Sequence, residues 1–213
     1  MMRLEHELHV PADSTDGVPV IILLHGRGAD RKDLFGLRAH MPADWAVIAP
    51  DAPFPGAPWG YGPGRAWYRY TGRNRPDPDS FSESLRALDT LLDALPGIVG
   101  HEPGSVVLGG FSQGGTVSLA HALSRPGRVQ HIVNFSGFLA DHPDVAATAA
   151  TVGSTRIFWG HGTSDPAIPF ALAVEGRGLL NAAGADLDAH DYDIGHSIDP
   201  QELADMVGWL PGS

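Results

Sequence analysis

Short, continuous apolar runs alternate along the chain with longer segments whose apolar residues recur every three to four positions. "VPVIILLHG" (residues 18–26) reads as a buried strand ending in a glycine turn, and "RKDLFGLRAHM" after it as a helix. "WAVIAP" (45–50) is a second buried strand. "SFSESLRALDTLLDAL" sets Phe81, Leu85, Leu88, Leu92 and Leu95 on one helical face. "SVVLGGF" (105–111) is a strand and "QGGTVSLAHALSR" a helix; "HIVNFSG" and "TRIFWGHG" are further strands. "PFALAVEGRGLLNAAG" predicts a helix stopped by Gly184. "DLDAHDYD" is strand-like, and "PQELADMVGWL" closes the pattern as a helix through Leu203, Met206, Val207 and Leu210.

This alternation predicts βαβ units: an α/β fold with a mostly parallel central sheet and helices on both faces. There is no internal repeat and no linker of changed composition, so residues 1–213 are expected to form one domain. The exception to the pattern is "DAPFPGAPWGYGPGRAWYRYTGRNRPDPDS" (51–80), too dense in proline and glycine to hold regular structure well. It is also aromatic, with Phe54, Trp59, Tyr61, Trp67, Tyr68 and Tyr70. A long loop of this kind is expected to be functional, lying near an active site with some of its rings, Trp59, Trp67 and Tyr68 as the candidates, lining a substrate pocket.

Composition narrows the function classes. A formal net charge of −11 repels phosphate backbones and anionic lipid, which argues against nucleic acid as a partner. The absence of cysteine removes disulfides, thiol nucleophiles and thiolate metal sites. The N-terminal "MMRLEHELHVPADSTDG" lacks the apolar run of a signal peptide, and no segment is apolar for long enough to insert stably in a membrane. A soluble, cytoplasmic protein is the expectation.

The chemistry centres on Gly110-Phe111-Ser112-Gln113-Gly114. A G-x-S-x-G string after a buried strand and before a helix puts its serine on a sharp, strained turn at the carboxyl end of the sheet. Glycines on both sides let neighbouring backbone pass without a side-chain clash, and the helix start leaves N–H groups pointing at developing negative charge. Ser112 is therefore a candidate nucleophile; the plainer alternative is a tight glycine turn.

A serine nucleophile needs a base, and the base an orienting acid. In the α/β-hydrolase order of serine, acid, histidine, the base must follow Ser112. Of the six histidines that do, His121 lies inside a helix, His131 and His190 in strands, and His142 in a polar loop. His196, in "DIGHSID" between a strand end and the last helix, is the candidate. His161 in "WGHGTSDP" is its rival, and its closeness to Asp165 suits a turn-shaping role better. For the acid, Asp165 follows a strand in a loop stiffened by Pro166; Asp191, Asp193 and Asp199 compete, and Asp199 reads better as a helix cap.

An oxyanion needs two preorganised donors. One is the N–H of Gln113, and the other belongs to the loop "HGRGAD" after the first long strand. That loop is neither a dinucleotide fingerprint, because Arg31 stands where the third glycine would be, nor a phosphate-binding lysine loop.

Together, "LLHGRGAD", "GGFSQGG", "GHGTSDPAIP" and "GHSI" resemble the phospholipase/carboxylesterase family of the α/β-hydrolase fold, over residues 18–210. The resemblance implies a compact fold with no separate lid domain, with Ser112 as nucleophile, Asp165 as acid, His196 as base, and the N–H of Arg27 as the second oxyanion donor. It implies hydrolysis of a small-molecule carboxylic ester with no metal or organic cofactor, by a monomer or homodimer. An acyl thioesterase or lysophospholipase of the same family is the alternative. A dienelactone-type hydrolase fits less well, since those usually carry a cysteine nucleophile; a non-catalytic binding protein usually lacks a triad member. Many members have leucine where Arg27 stands. Its guanidinium either forms an ion pair or favours substrates with an acidic group. The 51–80 loop, with "GRAWY", looks closer to small bacterial esterases than to the thioesterase branch.

Overall fold

The computed structural model describes residues 3–212; Met1, Met2 and Ser213, part of the domain expected from the sequence, lie outside the described residues. Strands β1 (His6–His9), β2 (Val18–Leu24), β3 (Ala46–Pro50), β6 (Pro103–Phe111), β7 (His131–Phe135), β8 (Arg156–Gly162) and β9 (Asp186–Tyr192) form one sheet in the order β1-β3-β2-β6-β7-β8-β9. All neighbours run parallel except β1, which pairs antiparallel with β3. β2 is flanked by β3 and β6 and covered on both faces, which is why it reads as an unbroken apolar run rather than an alternating one.

Two apolar layers sandwich the sheet. One packs Ile22, Leu24, Leu108, Ile132 and Trp159 against helices α2 (Pro78–Asp93), α4 (Gln113–Ser124) and α6 (Phe170–Ala182). The other packs Ile21, Leu23, Val107, Phe135 and Phe158 against α1 (Arg31–Phe35) and α7 (Pro200–Trp209). The expected helix stop at Gly184 is present: Gly184 has φ +83°, and its N–H donates to Asn181 O at 3.0 Å.

Four details differ from the sequence expectation. β1 was not expected; its "HELH" is polar because it is an exposed edge strand. The helix expected over 31–41 divides, with 36–40 continuing as a 3-10 turn. Short helices α3 (Leu95–Val99) and α5 (Ala149–Val152) carry too few residues to show a period. The 51–80 segment is more ordered than its composition suggests. It folds a ribbon of β4 (Phe54–Pro55) with β5 (Arg65–Ala66), and it interlocks with the 26–29 loop: Gly28 N–H donates to Arg65 O and Arg65 N–H to Ala29 O, each at 2.7 Å.

The strand order reverses direction between β2 and β6. The chain leaves β2 toward β3 on one side, then returns to place β6 on the other, with Leu24 beside Gly110. In an open parallel sheet such a reversal leaves a crevice beyond the carboxyl ends of the two strands. The "HGRGAD" loop and Ser112 both emerge there.

Candidate active site

Ser112 follows the last residue of β6 and stands immediately before α4, with φ +55° and ψ −114°. A left-handed φ is costly for a side chain other than glycine and survives only where the surroundings enforce it. Here Ser112 N–H donates to Phe135 O at 2.8 Å, and Thr116 N–H returns to Ser112 O at 3.0 Å. The flanking glycines are sterically required. A Cβ on Gly110 would lie 2.6 Å from Leu24 O, and one on Gly114 would overlap that same carbonyl oxygen. Strand β2 therefore passes directly against the turn.

His196 lies between β9 and α7, and Asp165 in the turn after β8. Their side chains meet: His196 Nδ1 donates to Asp165 Oδ2 at 2.6 Å. The other carboxylate oxygen, Oδ1, accepts from the N–H groups of Ala167 and Ile168, both at 2.8 Å. Asp165 is thus held on both oxygens with its side chain fully buried, and the imidazole is left with Nε2 as its acceptor. Ser112 and His196 line one cleft of about 340 Å³ with Gly26, Arg27, Ala29, Asp33, Tyr70, Arg73, Phe111, Ala167 and Ile168. Phe111 packs on the His196 ring at 4.6 Å between centroids.

The rival residues have other engagements. His161 Nε2 donates to Ile168 O at 2.9 Å, bracing the turn that carries Asp165, and burial pushes its pKa down so that it stays neutral. Asp191 pairs with Arg177, and Asp199 caps α7 by accepting from Glu202 N–H at 2.8 Å. His121 pairs with Asp89; His142, expected in a polar loop, is buried against Phe81.

Two main-chain donors belong to this region, one directly after Ser112 and one in the 26–29 loop that lines the cleft. Gln113 is the first residue of α4, so its N–H has no intrahelical acceptor. In the 26–29 loop, Gly28 N–H is taken by Arg65 O and Ala29 N–H by Gly26 O at 3.3 Å, while Arg27 N–H has no acceptor among the described residues. Gly28 has φ +82°, and a Cβ there would overlap Tyr61 O, so the loop shape is fixed from the 51–80 side.

The expected pocket aromatics are placed differently. Trp67 and Tyr68 are fully buried in the core with Phe81 and do not line the cleft. Trp59 packs on Phe54 and Tyr61 at 5.0 and 6.0 Å, also off the cleft. The ring that this segment contributes is Tyr70. The reason is the Gln113 side chain, which the sequence reading passed over in favour of its backbone. Its Oε1 accepts from Trp67 N–H at 3.1 Å and its Nε2 donates to Tyr68 O at 2.9 Å. Trp67 Nε1 donates to His25 O at 2.9 Å, and Ser84 Oγ donates to Trp67 O. Residues 67–68 are pinned against Gln113 at the Ser112 turn, and their rings fill the core. His25, neutral through burial, completes the support: Nδ1 donates to Gly26 O at 2.7 Å and Nε2 accepts from Ala52 N–H at 3.0 Å.

Among the described residues no helix is long and apolar enough to cross a membrane. The chain is 27% identical to acyl-protein thioesterase 1 of Saccharomyces cerevisiae over 143 residues, 64% of this chain and 62% of that protein. It thus spans less than two thirds of that relative's length. In structure it is similar to esterase PE8, with a TM-score of 0.78 at 25% identity and 98% of each chain covered. The carboxylesterase of Mesorhizobium loti superimposes with a TM-score of 0.82 over 99% of this chain and 95% of that one; at 20% identity this speaks to the fold. With the phospholipase/carboxylesterase family model matching residues 6–211, nearly the whole sequence, the chain belongs to that family of α/β-hydrolase-fold proteins.

Proposed function

We propose that the protein is a serine carboxylesterase that hydrolyses a small-molecule ester through an acyl-enzyme on Ser112. The observation that carries this reading is the 2.6 Å bond from His196 to a carboxylate already held by two N–H groups, on a cleft that Ser112 shares. His196 Nε2 takes the Ser112 proton as Oγ attacks the acyl carbonyl, and Asp165 stabilises the resulting imidazolium. The N–H groups of Arg27 and Gln113 receive the oxyanion. His196 then passes the proton to the departing alcohol. In the second half it takes a proton from water, whose oxygen attacks the acyl carbon, and returns that proton to Ser112 as the acid leaves.

The test is covalent labelling by a fluorophosphonate together with turnover of p-nitrophenyl esters of graded length. Wild type should label and turn over; Ser112→Ala should fold normally, refuse the label and lose nearly all activity. Near wild-type rates in Ser112→Ala would remove Ser112 as the nucleophile. A second reading, acyl thioesterase, is favoured by the names of relatives such as the yeast protein. Acyl thioesters in the same panel separate the two: a strong thioester preference decides for the second reading.

A further inference from the structure

We propose that Arg27 and Arg73 form an anion-binding end of the cleft, and that the substrate carries a carboxylate a few atoms from its reacting carbonyl. The ester part of this statement rests on the esterase reading; the anion site does not.

Acidic residues outnumber Lys and Arg by 25 to 14 in this chain, and the other arginines of the 26–31 and 65–75 segments are engaged. Arg31 pairs with Glu5, Glu7 and Asp51, Arg69 with Asp77 and Arg75 with Asp141. Arg65 spends its guanidinium on the carbonyls of Ala52 and Pro53. Arg27 and Arg73 both line the cleft with Ser112 and His196, and neither has a carboxylate partner among the described residues. Asp33, the acidic side chain on the same lining, forms no ion pair with either of them. The charged lining is thus net positive on a protein of net charge −11. Leaving two guanidiniums unpaired there, amid an excess of carboxylates, is what a cleft that recruits an anion requires.

Arg27 is also held in place. Its guanidinium carbon lies 4.8 Å from the Tyr61 ring centroid and 5.5 Å from that of Tyr70. Those rings are fixed in turn: Tyr61 Oη accepts from Tyr70 N–H at 2.8 Å, and Tyr68 Oη donates to Tyr70 Oη at 3.3 Å. A guanidinium lying over an aromatic ring keeps the N–H donors at its edge free, and those match a carboxylate. The position is preorganised, so little entropy is lost when an anion docks.

The test compares matched esters that differ in one charge. Monoethyl glutarate against ethyl pentanoate places the carboxylate on the acyl side; 4-acetoxybutyrate against butyl acetate places it on the alcohol side. In one of these pairs the anionic ester should have kcat/KM roughly tenfold higher, the scale of one added charge-assisted hydrogen bond. Arg27→Gln and Arg73→Gln should each shrink that ratio, as should added salt. The proposal is overturned if both pairs are hydrolysed with no anionic preference, or if the preference survives both substitutions. Binding to the Ser112→Ala variant gives a readout independent of turnover. Tighter binding of the anionic ester there, lost in Ser112→Ala combined with Arg27→Gln, upholds the anion site even if wild type hydrolyses no ester, an outcome that would sink only the esterase reading. Equal binding of charged and neutral esters overturns the anion site.

Discussion

Asp165 and His196, thirty-one positions apart, meet through a 2.6 Å bond, and the carboxylate that makes it is anchored on its other oxygen by the N–H groups of Ala167 and Ile168. The acid is fixed by the turn it sits in, so the histidine orients against a rigid partner. A geometry of this kind tests the two oxygens separately.

Asp165→Asn keeps an acceptor for the Ala167 and Ile168 N–H groups but can offer an amide N–H where Oδ2 stood. The His196 proton is then driven to Nε2, and the ring can no longer accept from Ser112. Ester turnover should fall by roughly 10³–10⁴-fold while the melting temperature changes little. The measurement is kcat on a p-nitrophenyl ester beside a thermal melt. A loss under tenfold would mean that Asp165 does not orient the base.

One glycine beside Ser112 and one in α6 give a second test, in which position alone decides the sign. A Cβ on Gly114 would overlap Leu24 O and come within 2.9 Å of His25 O, both rigid backbone. Gly114→Ala should therefore destabilise by about 3 kcal/mol or more. Gly178, exposed in the middle of α6, has open space around its Cα, and Gly178→Ala should stabilise by about 0.5–1 kcal/mol. Urea denaturation of the two variants should move the midpoint in opposite directions.

That contrast also marks how far the sequence was legible. The parallel strands and the main helices were readable because burial on both faces writes unbroken apolar runs and burial on one face writes a 3.6-residue period. Ser112, Asp165 and His196 were readable as candidates because each follows a strand whose end the pattern located. Edge strand β1 was not, since an exposed edge has no apolar constraint to leave in "HELH". The rings of residues 51–80 were misassigned because an aromatic residue looks the same whether it fills a core or a cleft. What sorts Trp67 and Tyr68 from Tyr70 is the pair of bonds from the Gln113 side chain, a contact across more than forty residues that no local pattern encodes.

Gln113→Leu removes those two bonds and leaves Trp67 N–H and Tyr68 O buried without partners. The expected cost is about 2–4 kcal/mol, because unsatisfied buried groups keep their full desolvation penalty. The 67–70 segment should loosen with it, so hydrogen exchange of the Trp67 amide should accelerate by far more than that of amides in β7. Unchanged protection at Trp67 would show that the segment is held by its rings alone.

Glu202, in the first turn of α7, makes a prediction in pH. Its carboxyl packs on Gly160, where a Cβ would collide with it, and neither oxygen has a hydrogen-bond partner among the described residues. Burial first, then the nearby charge of Asp199 and Asp205, pushes its pKa up to about 8 from an ordinary 4.5, against the opposing pull of the Asp199 main chain and of Arg177. The folded state therefore binds more protons than the unfolded state between those values. The Glu202 contribution to stability is complete below about pH 4.5, declines as pH rises, and is gone above about pH 8. On this basis Glu202→Gln should match wild type near pH 4.5 and exceed it near pH 9 by on the order of 3–5 kcal/mol. His25 and His161, whose pKa values burial lowers, add a slope of opposite sign near pH 6 that is common to both proteins. The difference between wild type and variant, from urea unfolding at several pH values, thus isolates Glu202. A difference that stays constant with pH would mean that the carboxyl is ionised in the folded protein and solvated by groups other than its neighbours.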